Sequence, residues 1–433
     1  MKYVYLLQKA SSFQTFQIFG QISARTEGVA MAVDRVIVVG AGPVGMVAAM
    51  ALIAQGIPVV VVEENADIVH DLRASTFHPP TLEFLERLGV TSILIEQGLI
   101  SPLWQFRDRR KGAVATFDLS VLRDETAFPY RLQCEQWKLT TVLRKRLGKD
   151  PDAEIIFGLR AVSVEQDADR VVLIAKRLTG EDRNGEEERL EGRFLIAADG
   201  AHSAIRTALG VPFEGMTIPE RYLSLSTTFP FHKAIPDLAN VAYLSDPEEW
   251  VTLLRTPSLW RVLLPTDARE SDEDMMAPNR IEGRLQGVVA SPKPYAVVHK
   301  TRYRVHERVA ERFVIGRVLL TGDAAHVNNP LGGMGMNGGI HDAINLSEKL
   351  AAVLHGADLG LLGRYERQRR KVAIEAVQAQ ALRNRQILRT RDRAERQAYY
   401  DELKATADDP VRHKNYLMRS SLIQSLREAA ATP

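Results

Sequence analysis

Buried-strand patterns dominate the first part of the chain. A strand pattern at 35–39 leads through a glycine-rich turn into an apolar helix pattern, and a second strand pattern follows at 59–62. Short apolar runs bounded by turns are typical of strands that are buried on both faces of a parallel sheet. The segment 35–63 therefore predicts one strand–helix–strand unit.

Alternating polar and apolar positions replace these runs farther along the chain. The segments 161–166, 170–176 and 193–198 predict a β meander. The charged run 186–189 is interpreted as a hydrated hairpin tip. Residues 221–315 contain short strand patterns separated by prolines, which predicts a sheet-rich insert. Together these patterns favour an α/β fold.

Composition narrows the classes of function. Of the 433 residues, 45% are hydrophobic and 25% are charged, which is the balance of a globular protein with a sizeable core. A net charge of only +2 provides no overall field for nucleic acid or an acidic membrane, so small-molecule partners are expected. No apolar run approaches transmembrane length. The single cysteine, Cys134, excludes an intramolecular disulfide and a cysteine-based metal cage, so we expect no metal site and a cytoplasmic location.

The turn after the first strand carries the strongest chemical signal. Gly40, Gly42 and Gly45 form G-x-G-x-x-G between a strand and a helix. The first glycine allows the tight turn, the second lets the backbone approach a pyrophosphate, and the third allows close packing of helix and strand. Glu63 ends the second strand, where an acidic side chain can accept hydrogen bonds from a ribose. This arrangement predicts a dinucleotide site.

The same spacing recurs at 333–338, where it has a different meaning. No predicted strand leads directly into this segment, so a second dinucleotide unit is not expected. A glycine loop that runs into a helix still presents several backbone amides to a negative group. The reduced edge of a flavin ring is such a group. The alternative interpretation is a flexible surface loop.

At this point the sequence resembles a known family, the class A FAD-dependent aromatic monooxygenases of the para-hydroxybenzoate hydroxylase type. Three fingerprints occur in the order that the family shows: the turn at 40–45, the segment 199–206 and the segment 322–333. The run 303–310 is similar to the phenol and polyketide hydroxylase branch. The resemblance extends over about residues 34–390.

The resemblance implies a set of cofactor contacts. Arg73 would contact the FAD diphosphate, Asp323 the ribityl hydroxyls, and Asp199 both FAD and the passing nicotinamide cofactor. Gln136 matches the glutamine that reaches the flavin, although Gln133 is close enough to compete for this role. The implied FAD-binding residues are Gly40, Gly42, Gly45, Glu63, Arg73, Gln136, Asp199, Gly322, Asp323, Gly333, Gly335, Met336 and Asn337.

The resemblance also implies an activity. NADH or NADPH would reduce FAD, oxygen would add at C4a, and the resulting hydroperoxide would hydroxylate a phenolic or heteroaromatic small molecule. The alternatives are a Baeyer–Villiger or epoxidising monooxygenase, a flavin reductase of the prenyl-lipid type, and an inactive FAD-binding scaffold. No catalytic acid or base is assigned, because the flavin carries the redox chemistry. A homodimer is the assembly that we consider.

We therefore expect an α/β protein with a Rossmann-like FAD-binding domain, an inserted mixed or antiparallel sheet for the substrate, and C-terminal helices. The predicted divisions are an extension outside the fold at 1–30, FAD-binding segments at 31–105, 131–215 and 306–360, substrate-sheet segments at 106–130 and 216–305, and a helical region at 361–433. Side chains in the insert that suit either substrate contact or the core are Tyr222, Thr227, Tyr243, Trp250, Arg255, Trp260 and Tyr295.

Overall fold

The computed structural model describes residues 34–433 with the exception of 71, 73, 179–184 and 268. The predicted extension at 1–30 lies outside the described residues.

Helices and strands alternate in the first half of the described chain, and helices alone follow after residue 354. The strands are β1 (Val36–Val39), β2 (Val59–Glu63), β3 (Thr76–Phe77), β4 (Leu99–Ser101), β5 (Leu103–Asp108), β6 (Gly112–Asp118), β7 (Arg131–Gln133), β8 (Ala153–Phe157), β9 (Leu159–Gln166), β10 (Val171–Arg177), β11 (Glu187–Gly192), β12 (Phe194–Ala197), β13 (Phe213–Thr227), β14 (Val241–Ser245), β15 (Val251–Arg255), β16 (Trp260–Thr266), β17 (Val297–Ala310), β18 (Val314–Ile315), β19 (Val318–Leu320) and β20 (His326–Val327). The helices are α1 (Pro43–Ile53), α2 (Pro79–Arg87), α3 (Thr91–Gln97), α4 (Gln136–Leu147), α5 (Ala204–Ala208), α6 (Phe231–Ala234), α7 (Asp272–Met276), α8 (Pro278–Val288), α9 (Gly335–Leu354), α10 (Gly360–Val372), α11 (Ala379–Arg389), α12 (Arg393–Asp408), α13 (Pro410–Ser420) and α14 (Ile423–Ala430).

A six-stranded sheet forms the centre of the first half of the molecule, which contains the glycine turn at 40–45. We call this the cofactor half, after its predicted role, and its strand order is β18-β19-β12-β1-β2-β8. All neighbours are parallel except β18 and β19. The central strands are apolar and buried, because helices and the three-stranded sheet of β9, β10 and β11 both pack against this sheet. The predicted strand–helix–strand unit is present as β1, α1 and β2.

An eight-stranded mixed sheet forms the second half, in the order β20-β17-β13-β16-β15-β14-β5-β6. Only β14 and β5 pair in parallel. The predicted fold class, with an inserted mixed sheet, is confirmed. The predicted boundaries after residues 105, 215 and 305 fall inside β5, β13 and β17. They do so because β13 and β17 are long strands that pair along most of their length and continue from one half into the other.

The meander differs from its prediction. It consists of β9, β10 and β11, and the segment 193–198 instead supplies β12 of the parallel sheet. The run 186–189 is not a hairpin tip, because most of it belongs to β11. Its charges pair across strands: Arg177 of β10 contacts Glu188 at 2.6 Å. Residues 179–184, between β10 and β11, lie outside the described residues.

The helices after residue 360 pack on both halves. The basic stretch at 364–396 packs through an apolar helix face. Val377, Ala381 and Leu388 of this face are buried, whereas Ile374 is 39% exposed. In the described part of the chain, no helix combines the length and the apolar character that crossing a membrane requires.

A buried charged network joins these helices to the cofactor half. Asp342 of α9 accepts hydrogen bonds from Arg369 Nε of α10 at 2.5 Å and from the backbone N–H of Gly322 at 3.2 Å. His326 Nε2 of β20 lies 2.7 Å from the same carboxylate. Burial alone would raise the pKa of Asp342, but Arg369 and His326 outweigh burial and lower it. The carboxylate therefore connects three segments as a charged group.

Replacing Arg369 by Met should lower the free energy of unfolding by about 3 kcal/mol, because Asp342 loses its cationic partner in the core. The measurement is urea unfolding of both proteins without added ligand, since a bound ligand also changes stability. Arg87→Met is the control, because the Arg87–Glu348 pair is solvent-exposed and should be worth under about 1 kcal/mol. Equal effects of the two substitutions would contradict the assignment.

Candidate functional site

A cavity of about 700 Å³ lies between the two halves of the molecule. Its walls come from the turn after β1, the segments after β12 and β19, the start of α4 and one face of the eight-stranded sheet. The carboxyl ends of parallel strands are the usual location of ligand sites in open α/β sheets. The three sequence fingerprints therefore meet at one cavity.

Glycines determine the backbone conformation of the first fingerprint, the turn at 40–45. Gly40 has a φ of +104°, and a Cβ at this position would lie 2.4 Å from the carbonyl oxygen of Ala198. Only glycine allows both this conformation and this close approach. A Cβ at Gly42 would meet nothing within 4 Å, and no side chain caps the first turn of α1. Backbone amides at this helix start are thus available to a phosphate group.

Glu63 lies at the end of β2 and lines the cavity, as predicted. Its Oε2 accepts a hydrogen bond from the backbone N–H of Ala41 at 2.7 Å, and its Oε1 accepts one from the N–H of Asn65 at 3.0 Å. These contacts fix the carboxylate beside the glycine turn. An ionised carboxylate has further acceptor positions, which can receive ribose hydroxyls.

Asp199 follows β12 and also lines the cavity. Its Oδ2 accepts the N–H of Ile205 at 3.2 Å, whereas its buried Oδ1 has no partner among the described residues. Burial raises the pKa of this carboxyl group. A buried oxygen that lacks a donor at a cavity wall suits a ligand hydroxyl.

The third fingerprint is connected to the second through Arg206. Its Nη1 donates to the carbonyl oxygen of Ala324 at 3.0 Å. Asp323, in the same short turn, is exposed towards the cavity. Gly322 does not line the cavity; a Cβ there would lie 3.0 Å from a methyl group of Val44. Gly322 therefore allows close packing that aims Asp323 at the site.

The glycine loop before α9 contributes Gly333, Gly335 and Met336 to the cavity wall. Gly333 has a φ of +66°, and a Cβ there would lie 3.2 Å from Cβ of Thr76. The loop is therefore packed into the cavity wall beside β3. The alternative interpretation, a flexible surface loop, does not fit this packing.

Asn337 has a different position from the rest of this loop. It is fully buried, and its Nδ2 donates to the carbonyl oxygens of Thr76 at 2.8 Å and Gly333 at 2.6 Å. Its Oδ1 accepts from the N–H of His78 at 2.9 Å and from Thr81 Oγ1 at 2.7 Å. The side chain thus fastens the loop to β3 and α2, behind the cavity wall.

The two candidate glutamines, Gln136 and Gln133, have different positions relative to the cavity. Gln136 begins α4 and lines the cavity, whereas Gln133 is buried in β7 and accepts from Thr76 Oγ1 at 3.1 Å. Gln136 is therefore the one placed to reach a ligand. The third predicted residue in this region, Arg73, lies outside the described residues.

The opposite wall is one face of the eight-stranded sheet. Leu263 of β16 is paired with Ser224 of β13 on one side and with Thr252 of β15 on the other. All three line the cavity, together with Tyr243 and Arg261. Directly paired residues share a sheet face, so the register explains this grouping. Leucine and tyrosine side chains share this wall with Ser224, Thr252 and Arg261, which suits a flat ring that carries polar substituents.

Sequence reasoning identified this wall only in part. Of the seven side chains named in the insert, Tyr243 alone lines the cavity. Tyr222, Trp250 and Trp260 are buried core residues instead. Arg261 was missed although the alternation of β16 marks its face, because alternation does not tell which face is the cavity.

These features together fit FAD. The glycine turn offers amides to a pyrophosphate, Glu63 and Asp199 offer acceptors to hydroxyls, and the second glycine loop offers amides at the far end. The cavity is continuous from the first turn to the sheet, so a bound FAD could present its ring to a substrate.

Comparisons with known proteins agree. The sequence family described as "FAD binding domain" matches residues 34–380. Para-nitrophenol 4-monooxygenase of Pseudomonas sp. (strain WBC-3) is 36% identical over 84% of this chain and 89% of its own. 6-Hydroxy-3-succinoylpyridine 3-monooxygenase of Pseudomonas putida (strain DSM 28022 / S16) is 35% identical over 81% of this chain and 88% of its own.

A solved structure shares the fold as well. The crystal structure of p-nitrophenol 4-monooxygenase PnpA from Pseudomonas putida DLL-E4 has a TM-score of 0.85 at 30% identity and covers 91% of this chain and 98% of its own. The match extends over both halves of the molecule and the cavity between them. The chain therefore belongs to the class A FAD-dependent aromatic monooxygenases.

Proposed function

We propose that this enzyme uses NADH or NADPH and dioxygen to hydroxylate a small phenolic or heteroaromatic substrate held against the eight-stranded sheet. The observation that carries the proposal is that one continuous cavity joins the glycine turn to a sheet face that carries aromatic side chains. Bound FAD would supply the redox and oxygen chemistry, and the protein supplies position and electrostatics. A cytoplasmic location and a homodimer stay predictions.

The proposed cofactor contacts follow from the positions of the residues. The amides of the turn at 40–45 would bind the pyrophosphate, and Glu63 the ribose. Asp199 and Asp323 would accept hydroxyl groups along the middle of the cofactor. Gln136 and the loop 333–336 would border the flavin ring.

The face of the eight-stranded sheet that lines the cavity, here called the substrate wall, indicates the electronic character of the substrate. Arg261 is the one charged side chain that the sheet contributes to the described cavity wall, and its Nη1 donates to Ser75 Oγ at 3.0 Å. Tyr243 and Tyr303 lie on the same wall. A cation among aromatic groups favours a phenolate or another electron-rich, negatively polarised ring. Ionised phenols are also the form most readily attacked by an electrophilic oxygen.

A buried carboxyl group lies behind the cavity and holds one of its loops. Glu307 Oε1 accepts from the backbone N–H of Asn329 at 3.0 Å and from its Nδ2 at 2.6 Å. Asn329 Oδ1 in turn accepts the N–H of Leu331 at 3.0 Å. Burial raises the pKa of Glu307 to about 7. This group therefore exchanges a proton near neutral pH while it supports two residues of the cavity wall.

The central test is oxygen transfer. We expect the purified protein to contain FAD, to oxidise NADH or NADPH, and to insert one atom of ¹⁸O-labelled dioxygen into at least one member of a panel of phenols, nitrophenols and hydroxypyridines. Product mass separates hydroxylation from reduction, which adds hydrogen only. A yellow protein that consumes NADH or NADPH but labels no product across the panel would refute the proposal, and a flavin that neither cofactor reduces would indicate a scaffold.

Glu63→Gln should weaken FAD binding roughly ten- to hundredfold, because a charge-assisted hydrogen bond of about 1.5–3 kcal/mol is lost. The measurement is a fluorescence titration of the apoprotein with FAD. Glu96→Gln, at an exposed position outside the cavity, is the matched control and should leave the affinity unchanged. An unchanged affinity in Glu63→Gln would remove this residue from the proposed ribose contact.

Glu307→Gln should remove a pH-dependent loss of stability. The folded protein keeps this carboxyl protonated up to a pKa of about 7, whereas an unfolded Glu releases its proton near about 4.3. The unfolded state therefore binds fewer protons in this window, and wild-type stability falls as pH rises, by up to about 3 kcal/mol relative to the variant.

The measurement is urea unfolding of both proteins at several values between about pH 5 and about pH 8. Glu311→Gln, an exposed position, should follow the wild-type profile. Parallel profiles for wild type and Glu307→Gln would show that Glu307 does not titrate in this range.

A further inference from the structure

A buried arginine behind the glycine loop lacks a charged partner. Arg131, at the start of β7, is 2% exposed. Its Nε and Nη1 have no hydrogen-bond partner among the described residues. Burial lowers the pKa of the guanidinium, and the groups that oppose this effect are the hydroxyls of Tyr243 and Tyr416, not a carboxylate. A buried cation of this kind is costly unless an anion accompanies it.

Part of the charge is met by an aromatic ring, because the guanidinium lies 5.2 Å from the ring centre of Trp104. Such a contact offsets only part of the cost of burying an ion. The ring also leaves the two N–H groups without acceptors. The aromatic contact therefore orients the guanidinium but leaves its Nε and Nη1 without hydrogen-bond acceptors among the described residues.

Arg131 lines a small cavity of about 30 Å³. A water molecule needs roughly 10–15 Å³ measured in this way, so the cavity has room for about two water-sized groups. Its wall includes Gly332 and Met334 of the glycine loop. Tyr243 and Met334 line both this cavity and the main one, so these two side chains lie between the two spaces.

A cleft on the other side leads from this cavity towards the surface. It has a volume of about 240 Å³ between the C-terminal helices and shares Gln380, Leu403 and Tyr416 with the small cavity. The charged side chains along the cleft are Arg383, Arg412, Arg419 and Glu402. Three cations against one carboxylate favour negative ions at the mouth, and low-dielectric walls focus that potential.

We propose that Arg131 is the centre of an internal binding site for a small monoanion, which reaches it through the cleft between the C-terminal helices. The size and the two unused N–H donors suit a halide, nitrite, or the two oxygens of a carboxylate or nitro group. The anion is either a free ion or the negatively polarised substituent of an aromatic molecule in the main cavity. The second source rests on the proposed function, whereas the first does not.

Anomalous diffraction tests the site directly. Crystals of the FAD-bound enzyme are soaked in sodium bromide, and we expect an anomalous peak at hydrogen-bonding distance from Arg131. The same soak of an Arg131→Met crystal should lose this peak, because the substitution keeps an unbranched side chain but removes the charge and its donors. Arg131→Lys should keep a peak, since a cation remains, and this variant covers the case in which the Met variant does not fold.

Arg123→Met, an exposed arginine at which no cavity is proposed, is the control and should retain the internal peak. Bromide found on the surface only, or an internal peak that persists undiminished in Arg131→Met, would overturn the proposal. No turnover is measured, so the result is independent of whether the hydroxylase proposal holds.

A second soak, with sodium bromide and 4-nitrophenol together, identifies the source of the anion. Loss of the bromide peak with ring density in the main cavity means that an aromatic substituent takes the site. Retention of the peak beside a bound ring means that the site serves a free anion. Both results support an anion site at Arg131 and differ only in its occupant.

Discussion

The architecture depends on direct contact between backbones that lie far apart in sequence. The carbonyl oxygen of Ala198 occupies the space that a side chain at Gly40 would need. The third segment also packs closely, since Gly322 lies against the side chain of Val44 of α1. Because nothing separates these segments, their amides and carboxylates face one cavity. Any side chain larger than hydrogen at Gly40 would push β1 and β12 apart and would move the acceptor Asp199 away from the turn.

This constraint also explains what could be predicted. A glycine turn between a strand and a helix is a local feature, so its position and its role follow from a few adjacent residues. The position of Glu63 at the end of the next strand was predicted in the same way, from the local pattern, and its contact with ribose stays a prediction. Asn337 was placed in the correct loop, yet its fastening contacts to β3 and α2 could not be anticipated, because they involve residues more than 250 positions away.

The substrate wall was predicted least well, for a physical reason. Some of its strands lie beside strands that are distant in sequence, as with β13 between β17 and β16. Alternation along a strand separates two faces but does not identify the one that borders the cavity. Tyr303 was part of a family-like run and yet was not named as a wall residue, whereas the larger Trp250 and Trp260 were named and proved to be core.

Buried polar atoms that lack a hydrogen-bond partner in the protein indicate where a ligand could supply one. An unpartnered buried polar atom costs about 1–3 kcal/mol, and more when it is charged, so folded proteins keep few of them without a reason. Asp199 Oδ1, Glu307 Oε2 and Arg131 Nε are such atoms within the described chain, and each belongs to a segment that contributes to, supports or borders the main cavity. Asp199 lies on the cofactor side and Arg131 behind the glycine loop. Their opposite charges suit two kinds of ligand group, hydroxyls at one end and a negative group at the other.

The C-terminal helices, most of which lie beyond the residues matched by the family, contact the cavity loop and the substrate sheet. That match ends at residue 380, yet Asn384 donates to the carbonyl oxygen of Leu331 at 3.3 Å, and His413 Nε2 accepts the N–H of Asp118 at 3.0 Å. These helices therefore hold both the cavity loop and the edge of the substrate sheet. If Arg131 binds a ring substituent as proposed, substitutions among these helices would change the substituents that the enzyme accepts and the position of the loop beside the proposed flavin site. They would leave the glycine turn at 40–45 intact, because that turn lies in a different part of the chain.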